Sequence, residues 1–261
     1  TARGTSSVAA NSGAYVYRYE LPLPPGRAGM SPNLALVYSS QGGNGYLGEG
    51  WSLTIPHIKR STKFTIPTYR IEDDFLEYVN QEGEVSHLTP VEETEKEIRY
   101  RRMRESELDW FIYRKTERIW IVLKKDGSRL EFGNPQFAAA DFVRDRGIFA
   151  WRLNEDRDST GNTIYYHYDS RGHPLLITYT GNKNKKNIDG WKPAIQVEFE
   201  YSAPDDLANI DCRRGRCANL AAQLDLVTIK AIQENGSYQA RKKIRFLYER
   251  KYGAAFLEKI T

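Results

Sequence analysis

Apolar and polar residues alternate without a fault from Ile195 to Tyr201, Ile-Gln-Val-Glu-Phe-Glu-Tyr. A period of two puts Ile195, Val197, Phe199 and Tyr201 on one face and Gln196, Glu198 and Glu200 on the other, which predicts a strand with one dry side. Lys243 to Glu249 repeats the pattern through Ile244, Phe246 and Tyr248. Ile119-Trp-Ile-Val-Leu123 is apolar on both faces and predicts a central strand. The Lys125-Asp-Gly-Ser128 segment that follows is a hairpin turn signal built on Asp126 and Gly127, with Arg129 to Phe132 returning as the partner strand. Asp158-Ser-Thr-Gly-Asn162, carrying Gly161 and Asn162, predicts a second turn, between a strand around Phe149 to Leu153 and one at Ile164 to Tyr168. Polar loops are expected at 181–187 and from Ser202 to about Asn219. Ala218 to Leu226 could hold a short helical turn, although its Leu-Asp-Leu-Val end has strand character. The expected fold is all-β: an antiparallel hairpin array in a curved sheet, with long polar loops and little helix.

The run from Gly43 to Leu53, Gly-Asn-Gly-Tyr-Leu-Gly-Glu-Gly-Trp-Ser-Leu, breaks this rhythm. Gly43, Gly45, Gly48 and Gly50 suit tight turns or close approach of strands, and Trp51 supplies an apolar anchor; with Asn44 they predict a rigid β-corner. A phosphate loop is excluded, because the spaced Gly45 and Gly50 are followed by Trp51 where lysine would be needed.

That run, together with Leu21-Pro-Leu-Pro-Pro-Gly-Arg-Ala-Gly-Met-Ser-Pro-Asn-Leu-Ala-Leu-Val-Tyr-Ser-Ser40, resembles the amino-terminal region of SpvB-type virulence proteins, which the B subunits of insecticidal toxin complexes share. Trp120-x-Val122 followed by Lys125-Asp-Gly-Ser-Arg-Leu-Glu-Phe-Gly133 resembles a hairpin of the same family. Trp151-Arg-Leu, continuing through Asp158-Ser-Thr-Gly-Asn162 to Tyr168-Asp169, resembles another family element and also the tyrosine-aspartate repeats of Rhs proteins. The resemblance implies one amino-terminal β domain over residues 1–261, with Rhs-like strand repeats from about residue 145 onward, as a fragment of a longer chain. It further implies a β-sheet shell around a carboxy-terminal toxic cargo, with downstream repeat and cargo regions and other toxin-complex subunits as partners. Secretion from a bacterium, with export that needs no cleavable signal, is implied as well. The last residues, Phe256 to Thr261, look like the start of another repeat strand, which would leave an open edge.

Composition narrows the classes. Hydrophobic residues make up 40% of 261 residues and aromatics 12%, with 17 tyrosines, a balance that favours strands. No apolar run is long enough for a membrane-spanning helix, and the opening Thr-Ala-Arg-Gly-Thr-Ser-Ser lacks the apolar core of a signal peptide. A net charge of +4, from 38 basic and 34 acidic residues, gives no footprint for nucleic acid.

Candidate chemistry is sparse, and no cofactor or metal is expected. Asp156 to Gly161 has the first acidic positions of a calcium loop, but Thr160 and His167 stand where further oxygen ligands are required. Cys212 and Cys217, in Cys-Arg-Arg-Gly-Arg-Cys, could close a disulfide or stand as two thiols; zinc would need two more ligands. The resembled family does not require this pair. His57, His87, His167 and His173 fall in no nucleophile or zincin motif, and His167 sits between two strand tyrosines. Asp73 and Asp74 are adjacent, so as strand residues they would point apart; the family resemblance makes them a turn. Glu92 to Glu97 contains Glu-x-Glu spacings like those of ADP-ribosyltransferases, with nothing else of that site. In SpvB-type proteins the transferase is a separate carboxy-terminal domain, so the chain is expected not to be an enzyme. Arg213, Arg214 and Arg216 could recognise an anionic surface or a partner's carboxylates, or could simply keep a loop solvated, as could Lys183, Lys185 and Lys186. A free-standing β domain binding a receptor or glycan through exposed aromatics is the alternative to the shell.

Overall fold

The computed structural model describes residues 4–8, 13–103, 108–143, 146–185, 192–203, 210–212, 214–215, 218–219 and 222–261. They are almost entirely β, with three single-turn 3-10 helices at Arg27–Gly29, Pro135–Phe137 and Lys183–Lys185.

The organising element is the strand Gly147–Arg157, which is long enough to be shared. Its first half pairs with His57–Arg60 on one side and with Ala140–Val143 on the other. Its second half pairs with Arg129–Phe132 and, across the opposite edge, with Asn162–Tyr168. Between these contacts the chain runs as a meander through Leu76–Val79, Val85–Glu93, Glu97–Arg102, Trp110–Arg114 and Ile119–Leu123, each strand pairing with the next. The meander therefore starts at Gly147–Arg157 and returns to it, closing a barrel of eight strands. A register shift between Glu131 and Phe132 bulges the strand at the closure.

An eight-stranded barrel has an interior that side chains can fill, and aromatic rings fill this one. Trp120, Trp151, Phe111 and Phe132 are fully buried there. Trp120 packs on Tyr100, Tyr113 and Trp151 at centroid distances of 5.0, 5.1 and 5.9 Å, and Tyr78 contacts Phe111 at 5.0 Å. Ile119–Leu123 is central in pairing as expected, but its outer face is wet: Trp120 and Val122 are buried and Leu123 is exposed.

From the far edge of Gly147–Arg157 an open array grows by antiparallel addition: Asn162–Tyr168, Pro174–Asn182, Ile195–Ser202, Gln223–Ile232, Tyr238–Lys251 and Ala254–Ile260. Val197, Phe199, Ile244 and Phe246 lie on its dry face, with Ile195, Tyr201 and Tyr248 packed at the margin, as the alternation predicts. The dry face is covered by the amino-terminal segment, including Leu21, Leu34, Leu36 and Leu47, so barrel, array and amino terminus share one core. The other face is charged, with a Glu198–Lys230 pair at 2.6 Å. A small four-stranded sheet of Gly4–Val8, Tyr15–Glu20, Ala35–Ser39 and Trp51–Leu53 completes the fold.

One device recurs along the array. Tyr168, Tyr201 and Tyr248 each close an alternating apolar run, and each hydroxyl donates back to a main-chain carbonyl, of Leu153, Pro174 and Leu224 at 2.6, 2.9 and 2.7 Å. The phenol thus buries its ring and satisfies its polar end together. Two local expectations change. Ala218 to Leu226 holds no helical turn among its described residues, since Ala218–Asn219 and Gln223–Ile232 are strands. The loop after Ser202 contains a short rung, with Ile210–Asp211 paired to Ala218–Asn219.

Candidate functional site

The glycine-rich run folds into a miniature hairpin in which Asn44–Gly45 pairs with Gly48–Glu49. Its tip reaches into the open array. The Tyr46 ring packs on His173 and Tyr201 at 5.5 and 5.7 Å, the Tyr46 carbonyl accepts the Leu224 N–H at 2.7 Å, and Leu47 is fully buried. Gly48 has φ +85°, and a Cβ there would stand 2.5 Å from the Ala255 carbonyl oxygen. Gly43 and Gly45 carry no such constraint. Trp51 is half-buried, its ring 6.1 Å from Tyr17 and 5.5 Å from Tyr38. The hairpin is a staple between the first strands of the chain and the last.

Both predicted turns form. Gly127 has φ +80°, and Asp126 accepts the Ser128 N–H at 2.8 Å. Asp158 Oδ1 accepts from the Thr160 and Asn162 main-chain N–H groups, both at 2.9 Å, while its Oδ2 accepts from Asn162 Nδ2 at 2.7 Å. This carboxylate is thus committed to the turn around Gly161. Trp151 lies inside the barrel, apart from both turns.

Beside the staple lies a cleft of about 410 Å³ whose rim includes Asn44, Gly45 and Trp51. Its walls carry Lys59, Arg60, Arg152, Arg171 and Arg214, with Asp141 as their acidic neighbour in the lining. Asp141 Oδ2 accepts from Arg152 at 3.0 Å and from Arg214 at 2.7 Å. The Arg214 guanidinium also lies 4.8 Å from the Phe149 ring, and its carbonyl accepts the Tyr69 hydroxyl at 2.6 Å. Arg152 sits beneath Gly172, where φ is +84° and a Cβ would fall 2.0 Å from the guanidinium carbon. Arg60 is buried: it donates to the Ile148 and Arg70 carbonyls at 2.7 and 3.2 Å and to Asp74 at 2.5 Å. Asp74 in turn accepts the main-chain N–H groups of Thr68 and Tyr69 at 2.7 and 2.9 Å, so the aspartate pair closes a turn.

Of the residues singled out in the sequence, the structure brings Asn44, Gly45, Trp51, His57, His173 and Arg214 to this cleft. Arg213, Arg216 and Cys217 lie outside the described residues, while Cys212 lies within them. Asp141, Arg152 and Arg60 were missed. A signal existed for Arg152, a lone cation inside the apolar run Ile148-Phe-Ala-Trp-Arg-Leu153.

Other chemical groups serve the sheet. The Glu92 to Glu97 carboxylates make cross-strand pairs, Glu92 with Arg99 at 3.1 Å and Glu97 with Arg114 at 2.9 Å. His167 packs on Phe137 at 4.8 Å, and burial lowers its pKa. Glu131 and Glu155, opposite one another on paired strands, are buried. Arg129 meets both, at 2.8 and 3.6 Å, and Lys183 meets Glu155 at 2.6 Å. Among the described residues no group of three or more His, Cys, Asp or Glu side chains could hold a metal ion.

Among the histidines and carboxylates, two groups with large shifts couple folding to pH most strongly. Burial lowers the His57 pKa to about 4, and the charges of Lys59 and Arg152 push the same way. The unfolded chain then takes up this proton first, so stability falls as pH drops from about 6.5 through about 4, by on the order of 2 kcal/mol. Asp156 opposes it. Its side chain shares a face with the buried Leu130 and Ile164 that flank it, and burial raises its pKa to about 6. Its folded state holds the proton longer, so stability falls as pH rises from about 4 through about 6. Urea unfolding at pH 7 and pH 5 should show a smaller acid loss in His57→Leu and a gain at pH 7 in Asp156→Asn. Parallel profiles in all three proteins would contradict this account.

The comparisons with known proteins follow this geometry. A family model described as Salmonella virulence plasmid 65kDa B protein matches residues 9–190. The chain belongs to the SpvB family. Mono(ADP-ribosyl)transferase SpvB of Salmonella choleraesuis is 48% identical over 66 residues, 25% of this chain and 11% of that protein. The Salmonella typhimurium protein is 47% identical over the same length. The match thus spans a small part of these relatives. Among solved structures, the N-terminal domain of effector protein SpvB from Salmonella typhimurium strain LT2 aligns with a TM-score of 0.72 at 19% identity, covering 93% of this chain and 97% of that one. The TcdB2-TccC3 crystal structure aligns with a TM-score of 0.80 at 17% identity, covering 98% of this chain and 16% of that one. The Photorhabdus luminescens Tc holotoxin pore gives 0.82 at 19% identity, covering 98% and 15%. At these identities the likeness is one of fold, and it spans almost the whole chain.

Proposed function

We propose that this chain is a non-catalytic structural segment of a secreted bacterial toxin or virulence protein, forming part of a β-sheet shell that encloses or presents a downstream toxic domain. On this reading residues 1–261 act as one amino-terminal domain, and the hairpin array from about residue 145 onward is the part that further repeats would extend. Its partners are downstream repeat and cargo regions and other toxin-complex subunits. The observation that carries the reading is one of coverage: 98% of this chain follows a fold that occupies only 16% of the TcdB2-TccC3 chain. The architecture suits the role. A packed barrel anchors one end, and the array has one dry face and one charged face, so it can wall off an aqueous interior.

The test is the size of the natural gene product, read with an antibody against this segment. A band several times larger than 30.0 kDa is expected, and the purified segment should show no ADP-ribosyl transfer or glycoside hydrolysis. A band at 30.0 kDa, or turnover by the pure segment, would overturn the proposal. One observation favours a second reading, a self-standing domain that binds a receptor or glycan: the same fold accounts for 97% of the SpvB N-terminal domain chain. Binding on a glycan array that is lost on replacing exposed aromatics would support it.

A further inference from the structure

We infer that the barrel is built to open at one seam, where the tip of the hairpin formed by Ile119–Leu123 and Arg129–Phe132 acts as a flap that lifts away from Gly147–Arg157. The seam is where the meander returns to its first partner, and its pairing is unlike that of the strands around it. Elsewhere in the barrel opposite charges stand across from each other, Lys59 from Glu77, Arg99 from Glu92 and Arg114 from Glu97. At the seam Arg129 stands across from Arg157, and Glu131 across from Glu155. Like charges directly opposite weaken a strand pair. On the rung between them, apolar Leu130 faces Asp156. That carboxyl is largely buried and takes no hydrogen bond or ion pair among the described residues.

Ionic clasps hold these three rungs. Arg129 reaches Glu131 at 2.8 Å and Glu155 at 3.6 Å, and Lys183 meets the other oxygen of Glu155 at 2.6 Å. Glu155 Oε1 is buried and accepts no hydrogen bond. The bulge between Glu131 and Phe132 is the hinge. Beyond it the pairing is firm. Phe132 is fully buried opposite Leu153, and the Gly133 N–H donates to the Arg152 carbonyl at 3.0 Å. The Asn134 and Asn154 amides both donate to Glu131 Oε1 at 3.0 Å. Each side of the seam keeps its other partner when the flap lifts. Arg129, Leu130 and Glu131 stay paired with Leu123, Val122 and Ile121, while Glu155, Asp156 and Arg157 stay paired with Tyr165, Ile164 and Thr163.

The flap responds to pH. Burial raises the Asp156 pKa to about 6, against the pull of Lys124 and with Asp126, Asp158 and Glu155 pushing the same way; the Tyr78 and Tyr166 phenols that feel its charge stay neutral. Burial disfavours the ionised form of Glu131 as well, but the Asn134 and Asn154 amides and Arg129 hold its carboxyl below the usual range, so this clasp stays charged in mild acid. The closed seam keeps the Asp156 proton longer than the open one, so closure weakens as pH rises from about 4 through about 6. The flap is tightest in mild acid and loosest at neutral pH.

The experiment is amide hydrogen exchange of the whole chain, followed residue by residue by NMR at pH 7 without urea and in low urea. Amides of residues 129–131 and 155–157 that point into the seam should exchange at least about tenfold faster than those of Trp110–Arg114, and almost independently of urea, because opening three rungs exposes little surface. Asp156→Asn should slow the seam amides about tenfold at pH 7, the scale of one pKa unit, with the gain shrinking as pH falls toward about 4 once intrinsic rates are divided out. Arg129→Met keeps the stem and removes the charge, and it should speed the same amides. Should Arg129→Met fail to fold, the urea dependence of the unsubstituted chain and the Asp156→Asn rates still decide. Seam amides that share the rate and urea dependence of Trp110–Arg114 would show that the seam opens only with the whole barrel, which would overturn the inference. So would an Asp156→Asn seam that exchanges no more slowly at pH 7.

Discussion

Replacing Trp151 with alanine is expected to destabilise the chain by roughly 3–5 kcal/mol, the range for deleting a large buried aromatic. That is a large share of the about 5–15 kcal/mol that holds a domain folded. Trp151 is fully buried and contacts Trp120 and Tyr113, both at 5.9 Å, while the Arg60 guanidinium lies 5.3 Å from its ring. Its indole N–H donates to the Arg118 carbonyl at 2.8 Å. The main chain at Trp151 pairs with Ile58 on one side and Ala140 on the other. Alanine would therefore leave a cavity at the strand that closes the barrel, an acceptor without its donor and a buried cation without its aromatic cover. Phenylalanine should recover part of the loss, because it fills much of the volume but cannot donate to Arg118. Urea unfolding followed by far-ultraviolet circular dichroism would measure both. A cost below about 1 kcal/mol for Trp151→Ala would mean the site collapses freely, which a closed and filled barrel does not allow.

What the sequence makes legible follows the range of the interactions involved. The strand at Ile195 to Tyr201 is readable because a period of two is a local property, and its dry face is where the alternation puts it. The turns at Asp126-Gly127 and Asp158 to Asn162 are readable because their bonds join residues two to four apart. Barrel closure is not readable. It rests on pairing Arg129–Phe132 with the second half of Gly147–Arg157, and no local pattern says that a meander will return to its own first partner. Ile119–Leu123 shows the same limit. Its apolar outer face looks buried in sequence, yet a barrel exposes one side of every strand that nothing covers, and Leu123 is 40% exposed. The cleft is the extreme case. Arg214 and Asp141 stand 73 positions apart, so a loop arginine that looks solvated in sequence is paired and largely covered in the fold.

The glycine-rich run holds both kinds of information, and Gly48→Val separates them. A tight corner is legible from the glycines, but the partner that makes Gly48 irreplaceable, the Ala255 carbonyl, belongs to the last strand. Valine there would have to hold φ +85°, a conformation that costs a β-branched residue on the order of 1–3 kcal/mol. Its Cβ would also stand 2.5 Å from a main-chain oxygen that has no rotamer with which to move aside. Overpacking of this kind adds about 1–3 kcal/mol, so a total near 3 kcal/mol or more is expected. The damage should be focused. Amide hydrogen exchange should speed up across Ala254–Ile260 and at Leu224, whose N–H bonds to Tyr46, while the barrel strand Trp110–Arg114 keeps its protection. Gly43→Ala is the control, because nothing lies within 4 Å of its added methyl, and it should stay within about 0.5 kcal/mol of the parent. Equal effects from the two substitutions would make the run a mere turn. The expected difference would make it the staple that fastens the first strands of the chain to the last.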